Sequence, residues 1–170
     1  MSLNINGKII DSFYRYKMDK INITQTGRGG NCHTILDNLD KIAGQINTSI
    51  ELLLQYIAMN LGCNNKEPNI LKGHYSIDKI QDVIYLFINF ATLCQKCTIP
   101  ELSPAIIKEG KKVSLIMKCS ACGQSYELRG NNKYNDKLVD NIIKYYSINQ
   151  FVANKGTMVI DKFNNDFNQF

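Results

Sequence analysis

Four cysteines stand in two Cys-x-x-Cys pairs, Cys94 with Cys97 and Cys119 with Cys122. Thiolates two residues apart reach one ion together, because the intervening knuckle turns the backbone around it. The second pair follows after 21 intervening residues and completes a shell of four soft sulfur donors, the set that tetrahedral Zn²⁺ favours. The spacer has room for a short antiparallel excursion, so the pattern reads as a zinc ribbon holding one ion per chain. With every coordination position filled by protein, such an ion shapes the fold and offers no open site for chemistry. The competing reading is a pair of disulfides in a secreted domain. Against it, the opening stretch Met1–Lys8 has no apolar signal-peptide core.

A chain of 170 residues has room for a small α/β core plus a metal-stapled module. Its composition, 44% hydrophobic and 21% charged, is that of an ordinary folded protein. The net charge of +5 is compatible with an RNA or other anionic partner without requiring one. No apolar run approaches the roughly 18 residues of a membrane span. The greasiest stretch, Ile80–Leu93, is broken by Gln81, Asp82 and Asn89. Reduced thiols and no export signal predict residence in the cytosol or nucleus. The two histidines stand in no recognisable catalytic arrangement, so an autonomous enzyme is not expected.

The elements that must position these cysteines follow from periodicity. Residues 1–20 show little regular pattern but hold the aromatic and basic cluster Phe13–Met18. Asn22–Thr26 leans toward β structure, and Gly27–Asn31 reads as a loop that matches no phosphate-binding glycine motif. His33–Asp37 and Ile70–Gly73 predict strands. Asn38 predicts a cap for a helix over Leu39–Ile46, and Thr48 with Glu51 predicts a capping box for the next. That second helix carries Ile50, Leu53, Leu54, Ile57 and Leu61 on one face, and Ser76 caps another that buries Ile77, Ile80, Ile84, Phe87 and Ile88. Beyond Cys97, strands are predicted at Ala105–Ile107, Val113–Met117 and Ser125–Leu128, then a helix over Lys137–Tyr146. The stretch Ala153–Phe170 has no convincing period and predicts a loosely docked tail.

At this point the chain resembles a known family, the N-terminal portion of eukaryotic translation initiation factor 5, and more distantly the beta subunit of translation initiation factor 2. The matching segments are Asp11–Met18, the Gly27–Gly30 loop, Gly73-His74, Asp78–Asp82, the run from Phe87 into Cys94–Cys97, and Lys118–Gly123. The Phe-Tyr-Arg-Tyr-Lys-Met string is the specific part and favours factor 5. The resemblance implies an α+β fold: a small α/β domain with a flexible N-terminal arm, followed by a four-cysteine zinc ribbon. Expected boundaries are arm and glycine-rich loop 1–32, core 33–92, ribbon 93–130, and C-terminal helix and tail 131–170.

The resemblance also implies an activity: stimulation of GTP hydrolysis by initiation factor 2, whose gamma subunit is the GTPase. The setting is start-codon selection in the cytoplasm, on the small ribosomal subunit with initiator tRNA. Arg15 would act in trans as an arginine finger. A guanidinium suits that task, since its permanent charge and planar donor fork match the oxygens of a transferring phosphoryl group. Tyr14 and Tyr16 would anchor the arm, and Lys17, Lys20 and Arg28 are available for anionic surfaces, including ribosomal or transfer RNA. A monomer without membrane contact is expected.

Two departures stand against full activity. His33 and Gln55 occupy positions where the family usually has lysines, and neither carries a permanent charge. Relatives also carry a C-terminal helical domain that nothing after Tyr146 resembles, so the sequence reads either as a truncated product or as a naturally short version. The alternative reading is a non-catalytic module, beta-subunit-like or a decoy, that occupies the same place in the initiation complex. A nucleic-acid-binding ribbon of the transcription type leaves the Phe13–Met18 string unexplained.

Overall fold

Near the N-terminus, Leu3 and Ile5 alternate with Asn4 and Asn6 ahead of Gly7, a strand that runs into a turn. In a computed structural model, which describes residues 1–148 and 158–161, strand β1 (Ser2–Asn4) pairs antiparallel with β2 (Lys17–Asp19). Residues 1–32 are therefore not an unstructured arm throughout. Ile5, Met18 and Ile21 are buried and hold the base of this hairpin, whereas residues 10–13 on its connection and 24–31 beyond it are exposed.

The strands β3 (Ile23–Thr26), β4 (His33–Leu36), β5 (Asn65–Lys66) and β6 (Ile70–Lys72) form an antiparallel sheet in the order β3-β4-β6-β5. Thr34, Leu36 and Leu71 are buried on one face of it. The helices α1 (Leu39–Gln45), α2 (Ile50–Leu61) and α3 (Ile77–Phe87) contribute Leu39, Ile42, Leu53, Ile57, Ile80 and Ile84, all fully buried, to the same unit's core. Tyr56 meets Phe87 edge to face at 5.4 Å. A π-type turn, Ile88–Thr92, extends α3 to Leu93, where the first of two compact units ends.

The second unit begins at Cys94. Its core is the long hairpin of β7 (Leu102–Glu109) and β8 (Lys112–Cys119), closed by Gly110-Lys111 with Gly110 at φ +62°. β9 (Ser125–Glu127) pairs with β8, and α4 (Lys133–Ile148) buries Leu138 and Ile142. The strand β10 (Met158–Asp161) lies parallel to β7.

The α+β class expected from the sequence holds, with four α-helices and three sheets among the described residues. Three local expectations are corrected. Ser49, not Thr48, caps α2: its hydroxyl accepts from Leu52 N at 3.2 Å. Thr48 is consumed in closing α1, where its N–H donates to Ala43 O at 2.9 Å after Asn47 turns at φ +58°. The last helix starts at Lys133, ahead of its first apolar residue, because Asn132 Oδ1 accepts from the amides of Tyr134 and Asn135 at 3.0 Å each. Part of the expected tail, Met158–Asp161, is a strand; the rest of 153–170 lies outside the described residues.

Candidate functional site

The four-cysteine cluster is built from two knuckles of the same design. In the first, Thr98 N donates to Cys94 O at 2.8 Å and Cys94 N donates to Ile99 O at 3.2 Å. In the second, Gly123 N donates to Cys119 O and Cys119 N to Gln124 O, both at 2.9 Å. Thr98 and Gly123 take the same left-handed turn, at φ +62° and +74°. These loops bring the four Sγ atoms within 4.8 Å of one another, with Cys94 and Cys119 buried and Cys97 and Cys122 nearer the surface. Sγ to Sγ separations are 3.9 Å for Cys94–Cys122 and 3.6 Å for Cys97–Cys119. A tetrahedron with metal–sulfur bonds of about 2.3 Å has edges of about 3.8 Å. All the cysteines are free thiols, so the disulfide alternative falls.

Electrostatics already favour a thiolate here. Burial alone raises the Cys94 thiol, but the N–H groups of Cys97 and Lys96, with the neighbouring thiols of Cys97 and Cys122, outweigh it and bring it down to about 7. At Cys97 the N–H of Ile99 pulls the other way, yet burial and the surrounding thiols push it up to about 12. Loading a metal ion therefore has to displace protons from this cluster. Four sulfur donors at tetrahedral separation are a set that can hold a metal ion.

The other candidate lies in the first unit, on the loop that joins β1 to β2. Arg15 is exposed just before β2 begins and makes no ion pair among the described residues. Its guanidinium carbon sits 5.7 Å from the Tyr16 ring, and the Tyr14 and Tyr16 rings are themselves 5.7 Å apart. The Tyr14 hydroxyl is shielded from solvent without a partner among the described residues, and burial pushes its pKa up. Phe13 and Ile10 project into solvent, 92% and 98% exposed, although side chains this apolar are ordinarily covered.

The loop is nonetheless well held. Asn4 Nδ2 donates to Ile9 O at 2.6 Å and to Asp11 O at 2.9 Å, and Lys17 Nζ donates to Asn4 Oδ1. Ile5 N donates to Tyr16 O at 3.0 Å. On α3, Tyr85 Oη donates to Asn4 O at 3.2 Å, and its ring lies so near Gly7 that a Cβ there would fall 2.9 Å from Cε1. Asp19 anchors the end of β2: its carboxylate meets Lys41 Nζ at 2.5 Å, and its N–H donates to Gln45 Oε1 at 2.7 Å. Its hydrogen bond with Lys41 holds that carboxyl below the usual range.

Residues 6–125 match the family described as a domain found in initiation factors 2B and 5. The chain belongs to this family. Three relatives are each described as "Eukaryotic translation initiation factor 5". The Caenorhabditis elegans protein is 30% identical over 146 residues, which cover 83% of this chain and 33% of the relative. The Saccharomyces cerevisiae protein is 31% identical over 146 residues, 83% of this chain and 35% of its own length. The Drosophila melanogaster protein is 29% identical over 145 residues, 82% and 31%. This chain thus spans about a third of the length of these relatives.

Within this initiation-factor domain, the remaining candidate residues are spread out. Lys20 is half-buried, and its main chain accepts from Asn38 Nδ2 at 2.9 Å. Arg28 is exposed beside Gly27, whose φ of +82° and place 1.8 Å from Asn31 O (for an added Cβ) admit only glycine. His33 opens β4 between Thr26 of β3 and Lys72 of β6, and Gln55 is half-buried on α2. Sequence reasoning passed over Asn4, Tyr85 and Gln81, whose Oε1 accepts from Ile21 N at 3.0 Å. Asn6-Gly7 signals only the local turn in which Ile9 N donates to Asn6 O at 3.0 Å, and not the hairpin of β1 with β2. Nothing in the sequence ties Gln81 or Tyr85 to it.

Proposed function

We propose that this chain is a translation initiation factor 5-like module of the cytoplasm. It stimulates GTP hydrolysis by initiation factor 2 during start-codon selection, on the small ribosomal subunit carrying initiator tRNA. Arg15 enters the nucleotide site of the gamma subunit in trans. The observation that carries this reading is an exposed Arg15, without an ion pair among the described residues, placed just before β2 on an internally bonded loop. Negative charge spreads over the γ-phosphoryl oxygens in the transition state, and a guanidinium supplied by a partner is worth roughly 10³–10⁵ in rate. The chain is the activator and not the enzyme: GTP, its metal ion and the attacking water belong to the partner. One Zn²⁺ on Cys94, Cys97, Cys119 and Cys122 stabilises the ribbon and takes no part in hydrolysis. The module works as a monomer.

A second reading, a non-catalytic module in the same complex, is favoured by His33 and Gln55. Neither supplies the permanent positive charge expected of the family there, and Gln55 is half-buried on α2. Single-turnover GTP hydrolysis in assembled initiation complexes separates the two. The first reading predicts acceleration by the 170-residue chain and a fall of at least about 100-fold with Arg15→Ala. An unchanged rate for that variant, with normal zinc content and binding, removes the finger.

A further inference from the structure

We infer that Asn4 is the positioning residue for Arg15: one side-chain amide fixes the loop that presents the guanidinium. The inference rests on the finger reading above and goes beyond it by naming what orients the finger. Each end of the amide meets groups of one kind only. Lys17 lies directly across the hairpin from Asn4, and its ammonium, which can only donate, faces Oδ1. The carbonyls of Ile9 and Asp11, which can only accept, face Nδ2 at 2.6 and 2.9 Å. The orientation of the amide is thereby dictated, and both its hydrogens are used.

The constraint travels to Arg15 in two short steps. Asp11, once held, accepts from Phe13 N through Oδ1 at 2.9 Å and from Tyr14 N through its main-chain oxygen at 3.2 Å. On the other side of Arg15, the Tyr16 carbonyl is held by Ile5 N at 3.0 Å. Arg15 is bracketed between two fixed peptides. Tyr85 bonds the main-chain oxygen of the same Asn4, so the hub itself is tied to α3. A finger fixed in this way meets the phosphate without first ordering its own backbone, and a displacement of about 1 Å can cost on the order of 100-fold in rate.

The test uses the full chain in single-turnover GTP hydrolysis, titrated against assembled initiation complexes to obtain a maximal stimulated rate and a half-saturating concentration. Asn4→Asp, nearly isosteric, sets an acceptor against the Ile9 and Asp11 carbonyls; Asn4→Ala removes the amide altogether. Both are expected to lower the maximal rate at least about 10-fold, with half-saturation within about 2-fold of the parent. Adding either to Arg15→Ala should lower the rate no further, because Asn4 acts only through Arg15. Amide hydrogen exchange provides a readout independent of the partner: Phe13 and Tyr14 should exchange faster in Asn4→Asp while β4 and α2 keep their protection. If Arg15→Ala abolishes stimulation but Asn4→Asp keeps the parental maximum, or shifts half-saturation alone, the positioning role is wrong and the finger survives. If Arg15→Ala has no effect, the finger reading falls and this inference falls with it.

Discussion

Met18 and Phe13 lie five positions apart on one short motif and have opposite fates. Met18 is fully buried and Phe13 is 92% exposed, so the aromatic and basic string is half anchor and half presentation. Met18→Ala should destabilise the protein by about 2–5 kcal/mol through lost burial and a cavity. Phe13→Ser should stay within about 0.5 kcal/mol. Urea unfolding of the two variants reads both, and equal losses would mean that the loop packs on the core. Lys17 illustrates the same division, since its ammonium is spent on Asn4 inside the hairpin.

At the scale of elements, local polar bonds decide where structure begins. Ser49→Ala should cost about 1 kcal/mol because it leaves the Leu52 amide without its cap, whereas Thr48→Ala should cost clearly less. Thermal unfolding of the pair tests which residue caps α2. The two cysteine knuckles make a sharper comparison. They share hydrogen bonding and backbone turn, yet one uses Gly123 and the other a β-branched Thr98 at φ +62°. Threonine in that region is strained by about 1–3 kcal/mol, while glycine loses up to about 1 kcal/mol through its freer unfolded chain. Thr98→Gly should therefore stabilise the metal-loaded ribbon by about 1 kcal/mol, read from its denaturation midpoint. A loss of stability would show that the threonine side chain contributes more than its backbone strain costs.

At the scale of the whole molecule, the division after Leu93 separates a unit with an extensive apolar core from one whose first residue belongs to the four-cysteine cluster. The two should respond differently to a chelator. Removing the metal ion should expose the amides of β7, β8 and β9 to hydrogen exchange while β4, α2 and α3 keep their protection. Equal loss of protection in both units would mean that the ion stabilises the entire chain. Much of this plan was legible without coordinates. Cys94, Cys97, Cys119 and Cys122 announce their cluster through spacing alone, because two residues between ligands is a property of the local chain. The faces of α2 and α3 follow from helical periodicity, and the family resemblance carried by Phe13–Met18 and the knuckles was borne out by the match over residues 6–125. What the tertiary structure alone decided was the state of the N-terminal segment. Its order comes from Gln81 and Tyr85, more than fifty residues downstream, and from an asparagine whose two ends happen to face a donor and two acceptors. Bonds between positions so distant leave no periodic trace in a sequence, since only folding sets those groups within about 3 Å of each other.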